Sequence, residues 1–363
     1  MKKRFGACLL PLLLGACATP DPGAGCDARH AASPQFSRAD CSFHNLPNPD
    51  LKPHRSSWEI WTRFLFERKV GTVPVDAIPV RRLDRAALDA LDPQANHIVR
   101  LGHSSHLLKL RGRYWLVDPV FGERASPFTF AGPRRFHAPP ITLAELPPID
   151  ALVLSHDHYD HLDASTIAAL KERVQRYFVP LGVGERLRAW GVPAERIQEF
   201  DWWQQGEWNG VRVTAAPAQH FSGRSLWDRN KTLWAAWSLA SGDQQIFYTG
   251  DTGYFPGFAE IGRRLGPIDV ALVENGAYNP DGWPTVHMTP EETVRAFEEL
   301  GARVLYPVHN STFDLAFHGW REPLERVAAL AQEKAIVLAT PEIGEVLTVG
   351  RPRNNRHWWE GLR

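Results

Sequence analysis

Four side chains that can bind a metal ion lie within six residues of one another, directly after an apolar stretch. The run 151–155 (ALVLS) is followed by His156, His158, Asp160 and His161. A single histidine is usually a core or surface residue, but several polar side chains at the end of a buried strand need partners that offset their desolvation. Imidazole and carboxylate groups are common ligands of divalent metal ions. The spacing therefore predicts that this turn forms a metal site.

The pattern of an apolar run followed by a metal-binding side chain recurs three times downstream. Such runs precede His220, Asp251 and His309. Loops that follow neighbouring strands can converge at one rim of a sheet, where functional residues commonly gather. Together the candidates are five histidines and two aspartates, a set that suits zinc or another borderline divalent ion. No cysteine follows position 41, so all these ligands would be nitrogen or oxygen atoms.

The elements that would position these residues follow a regular alternation of short apolar runs and helical segments, punctuated by Gly and Pro. This alternation predicts an α/β (α+β) fold. Strands are predicted at 97–101, 106–110, 114–117, 151–155, 177–179, 211–215, 233–239, 245–249, 270–273, 304–308 and 345–349. Helices are predicted at 164–174 and 290–300. The second has Thr289 as its N-cap, and Glu292 closes a capping box.

The first residues have the features of an export signal. Three basic residues at 2–4 precede an apolar stretch at 9–14 that is too short to span a bilayer. The segment LGAC ending at Cys17 resembles the lipobox of bacterial lipoproteins; an ordinary secretory signal cut nearby is the alternative. We predict a signal peptide at 1–17 and a lipid on Cys17 that anchors the chain at a membrane surface. Because Ala18 follows the cysteine, the predicted location is the bacterial cell envelope, at the outer membrane facing the periplasm.

The next part of the chain, 18–55, is rich in Pro, Ala, Asp, Asn and Ser, which is typical of a flexible tether. It contains Cys26 and Cys41, which either form a disulfide in an oxidising compartment or remain free thiols. Residues 56–363 are predicted to form one large domain. That domain begins with an amphipathic helix at 57–68, whose aromatic side chains either pack on the domain or touch lipid.

Composition narrows the class of partner. The chain has 363 residues, of which 44% are hydrophobic, enough for a large core. Its 41 basic and 41 acidic residues give a formal net charge of zero, so the charge balance does not favour nucleic acid as a partner. The composition leaves the oligomeric state open.

The motif HxHxDH followed by separate His, Asp and His residues resembles the signature of the metallo-β-lactamase superfamily, over roughly residues 98–343. The resemblance implies a four-layer αβ/βα sandwich with two Zn²⁺ ions per chain between its sheets. It also implies the ligand sets: the first metal is held by His156, His158 and His220, the second by Asp160, His161 and His309, and Asp251 bridges them.

Several flanking stretches resemble bacterial relatives of N-acyl-phosphatidylethanolamine phospholipase D. They are LGHSSHLL at 101, VDPVFGERASPFTFAGPRRF at 117, SLWDRNKTLWAAW at 225, TGDTGYF at 249 and HMTPEETV at 287. The resemblance implies a phosphodiesterase of phospholipase D type that acts on phospholipid-like substrates. In such an enzyme a pair of divalent ions activates water near neutral pH. Asp160, Asp251 and His287 are the predicted catalytic residues; His287 either orients substrate or donates a proton, or else it supports its loop.

Four more residues in these stretches are weaker candidates. His103 and Asp118 are candidates to hydrogen-bond the imidazole ligands, a role that sets their tautomers. Arg134 and Arg135 either pair with a substrate phosphate or lie solvated on the surface.

Two further functions remain open at this point. One is a carbonyl ester hydrolase such as a lactonase. The other is a non-catalytic metal-binding lipoprotein of the envelope, against which the complete ligand set argues.

Overall fold

A computed structural model of the protein describes residues 26–48, 55–351 and 356–363. The strands are, in chain order, β1 (Phe36–Ser37), β2 (Ser42–Phe43), β3 (His97–Gly102), β4 (Ser105–Leu110), β5 (Arg113–Val117), β6 (Ile149–Val153), β7 (Val174–Pro180), β8 (Ile197–Phe200), β9 (Gln205–Trp208), β10 (Val211–Ala216), β11 (Ala236–Ser241), β12 (Gln244–Tyr248), β13 (Val270–Glu274), β14 (Val304–Val308) and β15 (Val346–Thr348). The helices are α1 (Ser57–Phe66), α2 (Arg85–Asp89), α3 (Ala164–Leu170), α4 (Val183–Ala189), α5 (Phe258–Leu265), α6 (Pro290–Leu300) and α7 (Glu322–Glu333). Short 3-10 turns lie at Ala28–His30 and Ala194–Arg196.

Two sheets form the centre of the fold. The first has seven strands in the order β15-β3-β4-β5-β6-β7-β8, and the second has six in the order β14-β13-β12-β11-β10-β9. Buried side chains from both sheets, such as Trp115 and Phe178 from the first and Trp237 from the second, share one core cluster. Because each sheet is also covered on its outer face, its central strands are apolar on both sides.

Helices cover the two outer faces. Leu88 of α2, Ile167 of α3 and Leu187 of α4 pack in the cluster outside the first sheet. Helices α5, α6 and α7 contribute to the cluster outside the second sheet, for example through Phe297 and Leu324. The order of layers is helix, sheet, sheet, helix. The predicted four-layer αβ/βα sandwich is therefore confirmed.

Strand direction explains why the candidate ligands meet. Strands β5 to β8 are parallel in the first sheet, and β12 to β14 are parallel in the second. Strand β10 runs in the same direction as β12, because both are antiparallel to β11. The candidate ligands follow the carboxyl ends of β6, β10, β12 and β14, so their loops converge at one edge of the sandwich.

Each predicted strand overlaps an observed one, and the differences lie at edges and ends. Strands β8 and β9 were not predicted because each lies at the edge of its sheet and is only partly buried, so neither contains a long apolar run. The helix predicted at 164–174 ends at Leu170, because Val174 already begins β7. Helix α6 has the predicted bounds and the predicted capping box between Thr289 and Glu292. Helices α2, α4, α5 and α7 were not predicted.

The structure corrects the predicted tether, because residues 26–48 are packed against the sandwich. The Phe43 side chain is fully buried in the core between the sheets. Cys26 and Cys41 form a disulfide, which settles the alternative that the sequence left open. The composition of this segment did not predict its packing, because the contacts that stabilise residues 26–48 are long-range and leave no local periodicity in the sequence. The predicted signal peptide and the lipid site Cys17 lie outside the described residues.

Helix α1 begins with a capping box between Ser56 and Glu59 and ends at Phe66, two residues before the predicted end. The Ile60 side chain packs against a small apolar cluster that includes Trp283. One side of the helix therefore docks on the domain. Trp58 is 77% exposed, and its contact with lipid stays a prediction. None of the helices among the described residues is long and apolar enough to cross a membrane.

Candidate metal centre

The turn after β6 holds its ligands in a compact, hydrogen-bonded loop. The backbone N–H of His161 donates to the carbonyl of His158 at 3.1 Å, which closes the turn. His156 is 1% exposed, and His161 is fully buried. The loop thus points several polar side chains into a space from which bulk water is excluded, where they need partners.

The first ligand cluster consists of His156, His158, His220 and one oxygen of Asp251. His156 Nε2 lies 2.8 Å from His158 Nδ1, and His220 Nε2 lies 3.3 Å from the same atom. Asp251 Oδ2 lies 3.8 Å from both His156 Nε2 and His220 Nε2. Three imidazole nitrogens and a carboxylate oxygen therefore surround one point.

The second cluster contains His103, Asp160, His161 and His309, and both carboxylate oxygens of Asp251 lie beside it. Asp160 Oδ2 lies 3.5 Å from His161 Nε2 and 3.3 Å from His309 Nε2. Asp251 Oδ1 lies 3.1 Å from His161 Nε2, and its Oδ2 lies 3.0 Å from His309 Nε2. The structure thus brings all seven predicted ligands together, and Asp251 is positioned between the two clusters.

The residues present fit metal ions on two grounds. Among the described residues, His161 Nε2 and Asp251 Oδ1 have no aligned hydrogen-bond partner although they lie 3.1 Å apart, and such buried polar atoms are costly unless a ligand satisfies them. Burial alone would raise the pKa of Asp251, but His161 and His309 lower it well below its usual value. The centre therefore holds negative charge inside a ring of imidazoles. This donor set suits zinc-like divalent ions.

Outer hydrogen bonds fix the imidazole rings. His161 Nδ1 donates to Asp118 Oδ2 at 2.7 Å, and that oxygen also accepts from the Tyr248 hydroxyl at 2.5 Å. His220 Nδ1 lies 2.9 Å from the carbonyl of Val286. Each of these bonds occupies Nδ1 and leaves Nε2 directed at the cluster. Such outer partners set the tautomer and orientation of metal-binding histidines.

His103 was predicted to hydrogen-bond a ligand imidazole, and the structure gives it a different partner. Its Nε2 lies 3.0 Å from Asp160 Oδ2, so its hydrogen bond is to a predicted ligand carboxylate and not to a ligand imidazole. Its ring lies 4.1 Å from that of His309, centroid to centroid. Burial lowers the pKa of His103 to about 3, so its ring is neutral. Asp118, by contrast, does contact a predicted ligand imidazole.

The carboxyl group of the buried Glu274 forms a hydrogen bond with the side chain of His287. His287 Nδ1 lies 2.5 Å from Glu274 Oε1, and Glu274 is fully buried at the end of β13. Burial and the nearby Asp251 raise the pKa of Glu274, and burial lowers that of His287 to about 4. Glu274 was not among the predicted site residues. It follows the apolar run 270–273 (VALV) of β13 in the same way that the ligands follow their strands.

Neither Arg134 nor Arg135 lines the pocket beside the clusters. Arg134 is exposed and pairs with Glu123 at 2.5 Å. Arg135 donates to the carbonyl of Val120 and lies over the ring of Phe313. The structure thus gives no support to the alternative that these arginines pair with a substrate phosphate.

A pocket of about 430 Å³ opens onto both clusters. Its wall includes Ile60 of α1, Phe221 and Trp283, and it also contains Arg55 and Arg229. The Arg229 guanidinium lies 4.6 Å from the ring centroid of Phe221, which itself packs against His158 and His220. Among the described residues, no carboxylate forms an ion pair with Arg229. The pocket wall therefore contains both apolar and cationic side chains.

Comparisons with known proteins agree with this geometry. The family model of the beta-lactamase superfamily domain matches residues 113–310. N-acyl-phosphatidylethanolamine-hydrolyzing phospholipase D 1 of Caenorhabditis elegans is 35% identical over 263 residues, which cover 68% of this chain and 74% of that protein. Outer membrane protein RomA of Klebsiella pneumoniae is 44% identical over 120 residues, or 31% of this chain and 89% of that protein.

The fold has a solved counterpart in Igni18, a metallo hydrolase from the archaeon Ignicoccus hospitalis. Its TM-score is 0.55 at 19% identity, covering 71% of this chain and 99% of that one, and this likeness concerns the fold alone. The family match, the identity to the nematode enzyme and the two His/Asp clusters lead to one conclusion. The chain belongs to the metallo-β-lactamase superfamily, resembles N-acyl-phosphatidylethanolamine phospholipase D, and is a metal-dependent hydrolase.

Proposed function

We propose that the protein is a dinuclear zinc phosphodiesterase of phospholipase D type, acting on phospholipid-like substrates. The observation that carries the proposal is the position of Asp251 between two clusters of ligands beneath a pocket with a cationic wall. His156, His158 and His220 would hold one ion, and Asp160, His161 and His309 the other. Asp251 would contact both.

Zinc is the proposed metal because the seven ligands are imidazole and carboxylate groups with no thiolate. When bound, a pair of such ions supplies a water-derived nucleophile near neutral pH and neutralises charge on the oxygens of a phosphodiester. The chain's own part is to hold the ions apart, orient the substrate and move protons.

His287 is the proposed proton donor to the departing oxygen. Its Nδ1 contacts Glu274, so Nε2 is the ring nitrogen that remains for the substrate. As Nε2 gives its proton to the leaving alkoxide, Nδ1 can take a proton from the Glu274 carboxyl. The pair thereby gives up one proton, and Glu274 is left as a buried carboxylate that accepts a hydrogen bond from His287 Nδ1, which offsets part of the cost of burying its charge.

The cationic wall favours a phosphodiester over a lactone. A phosphodiester carries at least one negative charge throughout its hydrolysis, and the Arg229 guanidinium lies beside the clusters without a carboxylate partner among the described residues. A neutral lactone would leave that charge unused. Lactonase activity is thus the second candidate, and a non-catalytic envelope lipoprotein is the third, against which the complete ligand set argues.

The proposed setting is the bacterial cell envelope, with the chain tethered through a lipid on Cys17 and facing the periplasm. The relative in Klebsiella pneumoniae carries the name outer membrane protein, and the disulfide between Cys26 and Cys41 suits an oxidising compartment. The phospholipase name of the nematode relative agrees with a lipid substrate at such a surface.

The test is hydrolysis of bis(p-nitrophenyl) phosphate and of a panel of lactones by the chain that starts at residue 18, with zinc measured on the same sample. We expect about two zinc ions per chain and diester hydrolysis that chelation abolishes. The variant Asp251→Ala is expected to lose metal and at least ~10³-fold in kcat/KM while keeping its circular dichroism spectrum. The matched control Asp243→Ala changes an exposed turn aspartate and should behave as wild type.

Either of two results would overturn the proposal. Lactone hydrolysis without diester hydrolysis would establish the second candidate. Full metal content and activity in Asp251→Ala would contradict the shared role of this carboxylate.

A further inference from the structure

The side chain of Asn45 forms hydrogen bonds with both the backbone N–H and the backbone carbonyl of His220. The backbone N–H of His220 donates to Asn45 Oδ1 at 3.0 Å, and Asn45 Nδ2 donates to the carbonyl of His220 at 2.8 Å. Asn45 Oδ1 also accepts from Trp234 Nε1 at 3.0 Å. A carboxamide is the side-chain group that offers one donor and one acceptor in this arrangement. The contact joins residues 175 positions apart in the chain.

His220 depends on these bonds because it lies in a loop after β10, where no neighbouring strand satisfies its backbone. It is 1% exposed, so water cannot easily replace Asn45. The Val286 carbonyl holds ring atom Nδ1 at 2.9 Å. His220 is thus held at three atoms, its backbone nitrogen, its backbone oxygen and Nδ1, which directs Nε2 into the first cluster.

The segment that carries Asn45 is itself fixed to the domain. Phe43, two residues earlier, is fully buried between the sheets, and its N–H donates to the carbonyl of Asn230 at 2.8 Å. Strands β1 and β2 form a small hairpin; β1 lies inside the loop that the Cys26–Cys41 disulfide closes, and β2 begins at the residue after Cys41. The ammonium of Lys231 donates to the carbonyls of Asp40 and Cys41 at 2.9 and 2.8 Å.

We infer that Asn45 is a positioning residue for His220, so that the N-terminal segment 26–48 completes the first metal site. This inference rests on the ligand role proposed for His220. The consequence is that metal affinity at the first site depends on a segment far from the HxHxDH turn. The outer partners of metal ligands, when removed, typically lower affinity about 10–100-fold.

The experiment measures zinc binding by chelator competition on the full mature chain, which resolves the tighter and the weaker ion without any substrate. Asn45→Ala is expected to weaken one of the two ions about 10–100-fold and the other less than about threefold. Asn45→Asp keeps the acceptor for His220 N–H and Trp234 but loses the donor, so an intermediate loss is expected. The control Asn48→Ala alters the same segment, where the side chain reaches the Tyr254 carbonyl, and should keep both affinities.

A second readout separates positioning from a general loss of stability. With Co²⁺ in place of zinc, the visible absorption of the first site should change in Asn45→Ala, and His220→Ala should remove the same signal. If Asn45→Ala and Asn45→Asp bind both ions as wild type does, whatever their melting temperatures, the inference is wrong. If both ions weaken equally in Asn45→Ala, the effect is on the fold and the inference also fails.

These outcomes are distinguishable from a failure of the proposed function. A wild-type chain that binds two metal ions but hydrolyses no phosphodiester would overturn the proposed reaction and leave the role of Asn45 intact. A His220→Ala variant that retains both ions would remove the ligand role on which the inference stands.

Discussion

The pairing of His287 with Glu274 makes a prediction at the scale of single residues. Because the two side chains share a close contact beside the clusters, removing either should slow proton transfer more than it weakens substrate binding. We expect His287→Ala to lower kcat about 10²-fold or more, and Glu274→Gln to lower it less, with KM changed little in both. Steady-state kinetics and zinc content on the same samples test this.

Metal content is the decisive control for these two variants. His287 also lies within reach of Asp251 and His309 as a third group of possible ligands. If His287→Ala loses an ion in proportion to its activity, the histidine is a ligand and the proton-donor role is wrong.

We expect Arg229 to affect the binding of a negatively charged substrate and not the rate of the chemical step. Its guanidinium is partly desolvated beside Phe221, and burial lowers its pKa. Arginine side chains nevertheless stay protonated in proteins. We expect Arg229→Gln to raise KM about tenfold for an anionic diester, as a lost charged hydrogen bond would. KM for a neutral ester should not change. Arg134→Gln removes one positive charge from an exposed side chain that does not line the pocket, and should leave both KM values unchanged.

At the scale of elements, the loops after β13 and β14 approach so closely that one position admits no side chain. A Cβ atom on Gly276 would lie 2.0 Å from the backbone oxygen of His309. We therefore expect Gly276→Ala to displace His309 and to weaken the second metal at least tenfold, with a destabilisation of about 1–3 kcal/mol. Chelator competition and urea unfolding measure the two effects.

Gly319 provides the matched control, because a Cβ there would meet nothing nearer than 3.7 Å. Gly319→Ala should therefore keep both metals and the free energy of unfolding within about 0.5 kcal/mol of wild type. Normal metal affinity in Gly276→Ala would mean that the loop can move aside without disturbing His309.

For the whole molecule, metal binding should couple stability to pH. Burial disfavours the charged ring of His309, but Asp251 and Asp160 outweigh this and raise its pKa to about 10 without metal. In the metal-free protein, protonation of His309 stabilises the folded state. This contribution is complete below about pH 6.5, the usual pKa of histidine, and it is lost as the pH rises towards 10. Metal must displace the proton, so its affinity should increase with pH.

The expected change is about tenfold in zinc affinity per pH unit for each proton released between pH 6 and 8. The rise in melting temperature on adding zinc should accordingly be larger at pH 8 than at pH 6. Chelator competition and calorimetry at several pH values test both. An affinity that does not vary with pH would show that the ligands are already deprotonated in the metal-free protein.

Much of the site was predictable because its signal is local. An apolar run precedes each of the ligands His156, His220, Asp251 and His309. A polar side chain directly after a buried strand often indicates a functional loop. Glu274 carries the same signal at the end of β13 and was missed because glutamate is common in exposed loops. Arg229 had no such signal, since only its place in the pocket wall distinguishes it.

The amino-acid sequence by itself determined the ligand types and the alternation of strands and helices, which follow from periodicity and from spacing within a few residues. The sandwich with a metal centre between its sheets was implied by the resemblance of its motifs to the metallo-β-lactamase superfamily. The tertiary structure alone decided that His287 contacts Glu274 and that residues 26–48 pack against the domain. The reason is physical: contacts such as that of Asn45 with His220 join distant parts of the chain, and no local pattern records them.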